Sequence, residues 1–145
     1  MIKEKKIHLY ADGLNLDEFD TDFGIEIDGY TFNPSLFKKN GATDYLEYSK
    51  KVVSKCNSKP VSLEVFADEE SEMIKQAEIL TTLGKNVYVK IPITFTNKFF
   101  TTKVISNLIK KNIKLNITAL FTMPQIEEVL PAVKETETIL SVFAG

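Results

Sequence analysis

Lys90 is the residue whose surroundings fit its charge least. It lies in Asn86-Val87-Tyr88-Val89-Lys90-Ile91-Pro92, an otherwise apolar run. Lysines are almost never fully buried unless paired. An amine held away from water has a lowered pKa and can attack a carbonyl to form a Schiff base. A lysine reaching solvent from a strand mouth fits the same run, and the local sequence does not separate the two. Glu64 raises the same question in Val61-Ser62-Leu63-Glu64-Val65-Phe66. It is either the partner of a buried cation or an exposed edge residue. Asp12 offers a general acid or base, yet Asp12-Gly13 is also ordinary turn chemistry. Asn33 before Pro34 has the same double reading. Asn116, Thr118 and Ser141 add amide and hydroxyl groups to the set. Taken singly, each has a structural explanation. Taken together, they put an acid, an amine and several hydroxyl or amide groups at the ends of successive apolar runs.

Those runs are the elements that must position the groups. Short stretches rich in Ile, Val, Leu and Tyr recur about every 25 residues, mostly with helical patterns between them, which argues βα units and a parallel sheet. The predicted strands are Ile7 to Ala11, Ile27 to Phe32, Val61 to Phe66, Asn86 to Ile91, Lys114 to Leu120 and Thr138 to Phe143. Pro34 stops the second, and Ser35 is the expected cap of a short helical turn. A helix is expected from Thr43 to Lys55, buried through Tyr45, Leu46, Tyr48, Val52 and Val53. Asp68 is the expected N-cap of the next, which carries Met73, Ile74, Ala77, Ile79 and Leu80 and ends at Gly84. A third holds Val104, Ile105, Leu108 and Ile109, and a fourth runs from about Pro124 to Lys134. In (β/α) barrels the active site forms at the carboxyl ends of the strands, where the polar groups lie here. An eight-stranded barrel usually takes about 250 residues. At 145 residues the chain reads as one domain, 1–145, of about six βα units. It is either a smaller open α/β sheet or a partial barrel ending after its sixth strand.

Composition removes other classes. Charged residues make up 26% and hydrophobic ones 43%, the balance of a soluble globular domain. No apolar run approaches the ~20 residues of a membrane span, so no membrane role is expected. The net charge of −2 supplies no field for nucleic acid. One cysteine, Cys56, allows no intrachain disulfide and no multi-cysteine zinc site; packing is its expected role. All 18 basic residues are lysines. Arginine, the side chain best shaped for a bidentate grip on phosphate, is absent.

Three motifs, in order and each on a predicted strand, resemble the transaldolase and fructose-6-phosphate aldolase family. They are Asp28-Gly29-Tyr30-Thr31-Phe32-Asn33-Pro34-Ser35, Val87-Tyr88-Val89-Lys90-Ile91-Pro92 and Leu115-Asn116-Ile117-Thr118-Ala119-Leu120-Phe121. The resemblance runs from Ile7 to Gly145. It implies class I aldolase chemistry on a (β/α)8 TIM barrel, here with about six units. It implies Lys90 as the Schiff-base lysine and Asp12 as the acid/base at the cleaved bond. Glu64 and Thr118 correspond to the pair holding a proton-relay water, and Asn33, Asn116 and Ser141 to groups that bind substrate hydroxyls. Phe143 matches a position that is Phe in transaldolases and Tyr in the aldolases, and Glu64 likewise matches the transaldolase choice. Both imply transfer of a dihydroxyacetone unit from a sugar or sugar phosphate to an aldehyde. No metal or organic cofactor is implied; a homo-oligomer and a cytoplasmic role in carbohydrate metabolism are.

The sequence departs from the family in places. Gly13-Leu14-Asn15 stands where the family usually has Thr-Ala-Asn, Phe32 replaces a common Thr, and Val142 stands where Pro is frequent. In the family, the residue after the glycine matching Gly145 is an arginine that grips phosphate. The alternative to a transferase is a non-catalytic partial barrel acting only through association, because exposed strand edges must be covered.

Overall fold

A computed structural model of the protein describes residues 7–144. In chain order the elements are β1 (Tyr10–Asp12), a 3-10 turn (Glu18–Asp20), β2 (Gly29–Thr31), α1 (Pro34–Lys39), α2 (Tyr45–Lys55), β3 (Val61–Glu64), α3 (Glu70–Thr81), β4 (Val87–Pro92), α4 (Thr102–Lys110), β5 (Leu115–Leu120), α5 (Met123–Val133) and β6 (Ile139–Val142). The strands form one sheet in the order β1-β2-β3-β4-β5-β6, and every neighbouring pair is parallel. Doubly wound sheets reverse strand order at a switch point. Here the order never reverses, so successive crossovers of one hand put every helix on the same face. That is the construction of a (β/α) barrel, with six of its strands among the described residues. Among the described residues, no helix is long and apolar enough to cross a membrane.

Side chains alternate across a strand, so each strand sends one set to the helices and one to the concave face. The helix-facing set is apolar and closed to water: Leu63, Val89, Ile91 and Ile117 are all fully buried. Against it pack Val52 from α2, Met73 and Ala77 from α3, Ile105 and Leu108 from α4, and Val129 from α5. Ile79 departs from the expected pattern: it is 48% exposed, because α3 turns Met73, Ala77 and Leu80 to the sheet instead.

Two helix starts differ from the sequence expectation. Asn33, not Ser35, caps α1; its Oδ1 accepts the Leu36 N–H at 2.9 Å, and Pro34 occupies the first turn. Pro34 has no N–H to lose there, so its neighbour takes the cap. Glu69 holds the cap position of α3 without a side-chain bond. Asp68 is drawn elsewhere: its carboxylate accepts the Thr96 N–H at 2.8 Å and the Thr96 hydroxyl. Those two bonds hold Asp68 below the ordinary carboxylate range and tie the loop after β3 to the loop after β4.

Capping makes Asn33 structurally testable. Asn33→Ala is expected to cost about 1 kcal/mol in denaturant unfolding, and Asn33→Asp to recover most of it.

Candidate active site

The parallel register assembles the polar face. Glu64 of β3 stands opposite Lys90 of β4, and Lys90 stands opposite Asn116 of β5. One step further along, Thr118 stands opposite Pro92. At the other side of the sheet Asp12 of β1 stands opposite Thr31 of β2, which in turn faces Ser62 of β3. Counting by twos from these positions selects the concave face: Tyr10, Thr31, Ser62, Tyr88 and Asn116 belong to it.

Lys90 is only 7% exposed. Its Nζ donates to the Thr31 Oγ1 at 3.3 Å, across two strands. Of the two sequence readings, the lysine reaching solvent is therefore excluded. Glu64 is half-buried, and burial pushes its carboxyl above its ordinary value. The Lys90 charge pulls it back down, and the Asp12 charge pushes it up again. These three ionisable groups therefore share one electrostatic environment.

A hydrogen-bonded chain crosses the floor of the site. Asn116 Nδ2 donates to the Ser62 Oγ at 2.9 Å, and the Ser141 hydroxyl donates to the Asn116 Oδ1 at 2.7 Å. Asn116, Ser62 and Thr118 are all buried. A cavity of about 250 Å³ opens above, lined by Tyr10, Thr31, Asn116, Ile139 and Ser141. Tyr10 comes from β1 and Ser141 from β6, so the sheet curls enough for its first and last strands to border one space. Tyr10 lies over Gly29: a Cβ added there would sit 2.3 Å from the Tyr10 ring. The glycine is what lets the ring into the concavity.

Two expected site residues sit differently. Asn33 spends its Oδ1 on the α1 cap. Phe143 is 52% exposed, and its ring meets Phe121 edge-on at 4.8 Å and 71°. Its N–H bonds the Leu120 carbonyl at 2.9 Å, so it lies at the rim, just beyond β6. Thr31 at the end of β2 and Ser62 within β3 also face the site, through Lys90 and Asn116, and neither stands out in the sequence. Counting two residues back from Asn33 and Glu64 finds both. Cys56 is structural, as expected: its thiol donates to the Val52 carbonyl and burial pushes it up to about 12. Among the described residues, no group of three or more His, Cys, Asp or Glu could hold a metal ion.

A consecutive parallel sheet with a shielded lysine, a carboxylate and an amide side by side on its concave face defines a (β/α)-barrel protein with a polar site at its strand ends. The chain belongs to the Transaldolase/Fructose-6-phosphate aldolase family, whose model matches residues 9–145. It is similar to a probable transaldolase of Methanococcus vannielii, 40% identical over 119 residues, covering 82% of this chain and 51% of that protein. A probable transaldolase of Thermoanaerobacter sp. is 35% identical over 138 residues, covering 94% of this chain and 59% of the relative. A probable transaldolase of Clostridioides difficile is 35% identical over 141 residues, with 96% and 61% covered. The chain thus spans between half and about three-fifths of the length of these curated relatives.

Glu64 makes stability depend on pH. Because its folded pKa is raised, the folded chain holds this proton at pH values where the unfolded chain has lost it. Stability therefore falls as pH rises from the ordinary carboxylate value through the raised one, and is level above that. Glu64→Gln is expected to be more stable than the parent at pH 7 and equal to it near pH 4. The gain at pH 7 should be about 1.4 kcal/mol for each pH unit that separates the raised value from the ordinary one, read from urea unfolding at the two pH values.

Proposed function

We propose that the chain carries the imine-forming site of a transaldolase-type transferase, which moves a dihydroxyacetone unit from a ketose or ketose phosphate to an aldehyde. One observation carries this reading: an amine almost closed to water, in register with a carboxylate, on the concave face of a (β/α) sheet. The family membership and the three relatives named as probable transaldolases support it.

The Lys90 amine attacks the ketose carbonyl, a C–N bond forms, and the carbonyl oxygen leaves as water. That departure needs a proton delivered and another removed. Glu64 and Thr118 hold the water that relays them; burial holds the Glu64 carboxyl above its ordinary value, which eases its taking up a proton and passing it on. Asp12 takes the proton from the hydroxyl on the fourth carbon. The bond between the third and fourth carbons breaks, its electron pair moves to the imine nitrogen, and an aldehyde leaves. The three-carbon enamine then adds to an acceptor aldehyde, and the steps run in reverse to free Lys90. The protonated imine is the electron sink, so this chemistry requires no metal. Asn116 and Ser141 offer the remaining N–H and oxygen positions to substrate hydroxyls. Asn33 contributes through its Nδ2, and Phe143 forms an apolar part of the rim. Keeping the enamine from bulk water favours transfer over release.

The test is borohydride trapping with fructose 6-phosphate, followed by mass mapping. A three-carbon adduct on Lys90, absent from Lys90→Ala, is expected. Asp12→Asn should still form the imine but slow bond cleavage by roughly 10²–10⁴-fold, so its trapped adduct has six carbons. A folded chain that traps nothing, or traps on another lysine, refutes the assignment.

A further inference from the structure

We infer that Tyr45 is a positioning residue: its hydroxyl fixes the peptide unit that ties the end of β3 to Lys90. The inference rests on the reading of Glu64 and Lys90 as functional. It starts from the ladder between β2 and β3. Tyr30 N–H bonds the Pro60 carbonyl at 2.8 Å, and Phe32 N–H bonds the Ser62 carbonyl at 2.9 Å. The next rung would run from residue 34 to the Glu64 carbonyl. Residue 34 is a proline with no N–H, and it has already entered α1. The Glu64 carbonyl is left without a donor from β2.

Tyr45, the first residue of α2, supplies one: its hydroxyl donates to the Glu64 carbonyl at 2.5 Å. The ring is held on two sides, by Phe37 at 5.0 Å and by Phe66 at 5.3 Å. Burial pushes the phenol well above its ordinary value, so it stays a donor. The same peptide unit continues to Val65, whose N–H bonds the Lys90 carbonyl at 3.1 Å. Tyr45, the Glu64–Val65 peptide and Lys90 therefore form one hydrogen-bonded series, in which each bond polarises the next. Removing the hydroxyl frees the peptide that bears the Glu64 side chain and braces the Lys90 backbone.

Tyr45→Phe keeps the ring and removes only the donor. The Glu64 carboxyl is followed by NMR titration of ¹³C-labelled glutamate, which does not depend on activity. In Tyr45→Phe its titration midpoint is expected to fall by roughly half a pH unit, as a loosened strand end admits water. Tyr48→Phe, on the same helix, should leave it in place. The rate of borohydride-trapped adduct formation should fall about two- to tenfold in Tyr45→Phe, the worth of one hydrogen bond, with its acid limb moving with Glu64. Should Tyr45→Phe not fold, Phe66→Leu loosens the phenol while retaining it, and a smaller change in the same direction is expected. An unmoved Glu64 titration, or an unchanged trapping rate and profile, overturns the inference. A parent chain that traps no adduct defeats the transferase reading instead, and the titration still decides the role of Tyr45.

Discussion

Everything at this site depends on one row of residues being in register across three parallel strands. Glu64, Lys90 and Asn116 are neighbours because β3, β4 and β5 pair without offset at that level. A one-residue slip of β4 would turn Lys90 toward the helices, into a layer that admits no water. An ammonium group there, without partners, would be intolerable. The apolar layer under the helices and the polar concave face therefore enforce each other. Val89 and Ile91 flank Lys90 in sequence and are fully buried, and their burial on one face fixes the lysine on the other.

Strand ends are where the chain departs from regular pairing, and the departures are concentrated around the site. Pro34 removes a rung between β2 and β3. Asp68 leaves its helix end to clasp Thr96. In β5 the pairing with β6 shifts between Ile117 and Leu120, and Ala119 adopts a left-handed φ of 58°. A left-handed backbone costs an alanine about 1–2 kcal/mol. It directly follows Thr118, so the bend re-aims the chain immediately beyond a buried site hydroxyl. Bulges of this kind are common beside active sites.

The six strands and the helices between them are legible from the alternation of apolar runs and breakers, because burial of one face per element dominates the pattern. Lys90 and Glu64 stand out since charges inside apolar strands are rare. Local sequence leaves Lys90 with two readings, and what separates them is distant in the chain: Thr31, 59 positions away, and the curl of the sheet. Thr31 and Ser62 escape notice because a hydroxyl in a strand is unremarkable until its neighbours are known. Asn33 caps α1 in place of the expected Ser35, and Asp68 leaves the α3 cap expected of it, for a related reason. Both carry side chains that serve equally as cap, tie or ligand, and tertiary partners decide among those uses. Ile79 shows the limit of helix periodicity, since the position of the sheet selects which of two adjacent apolar residues is covered.

Asn116 shows what prior occupancy does to an amide. An isolated asparagine can present either end to a visitor, since its two ends are nearly the same shape. Here Ser62 takes the nitrogen end and Ser141 the oxygen end. Each hydroxyl can donate or accept, so the amide is satisfied whichever way it faces. Both of its ends are engaged before anything arrives, one toward β3 and the other toward β6. Whatever enters the concavity meets a side chain already clamped at both ends, open to it only through the positions the two serines leave.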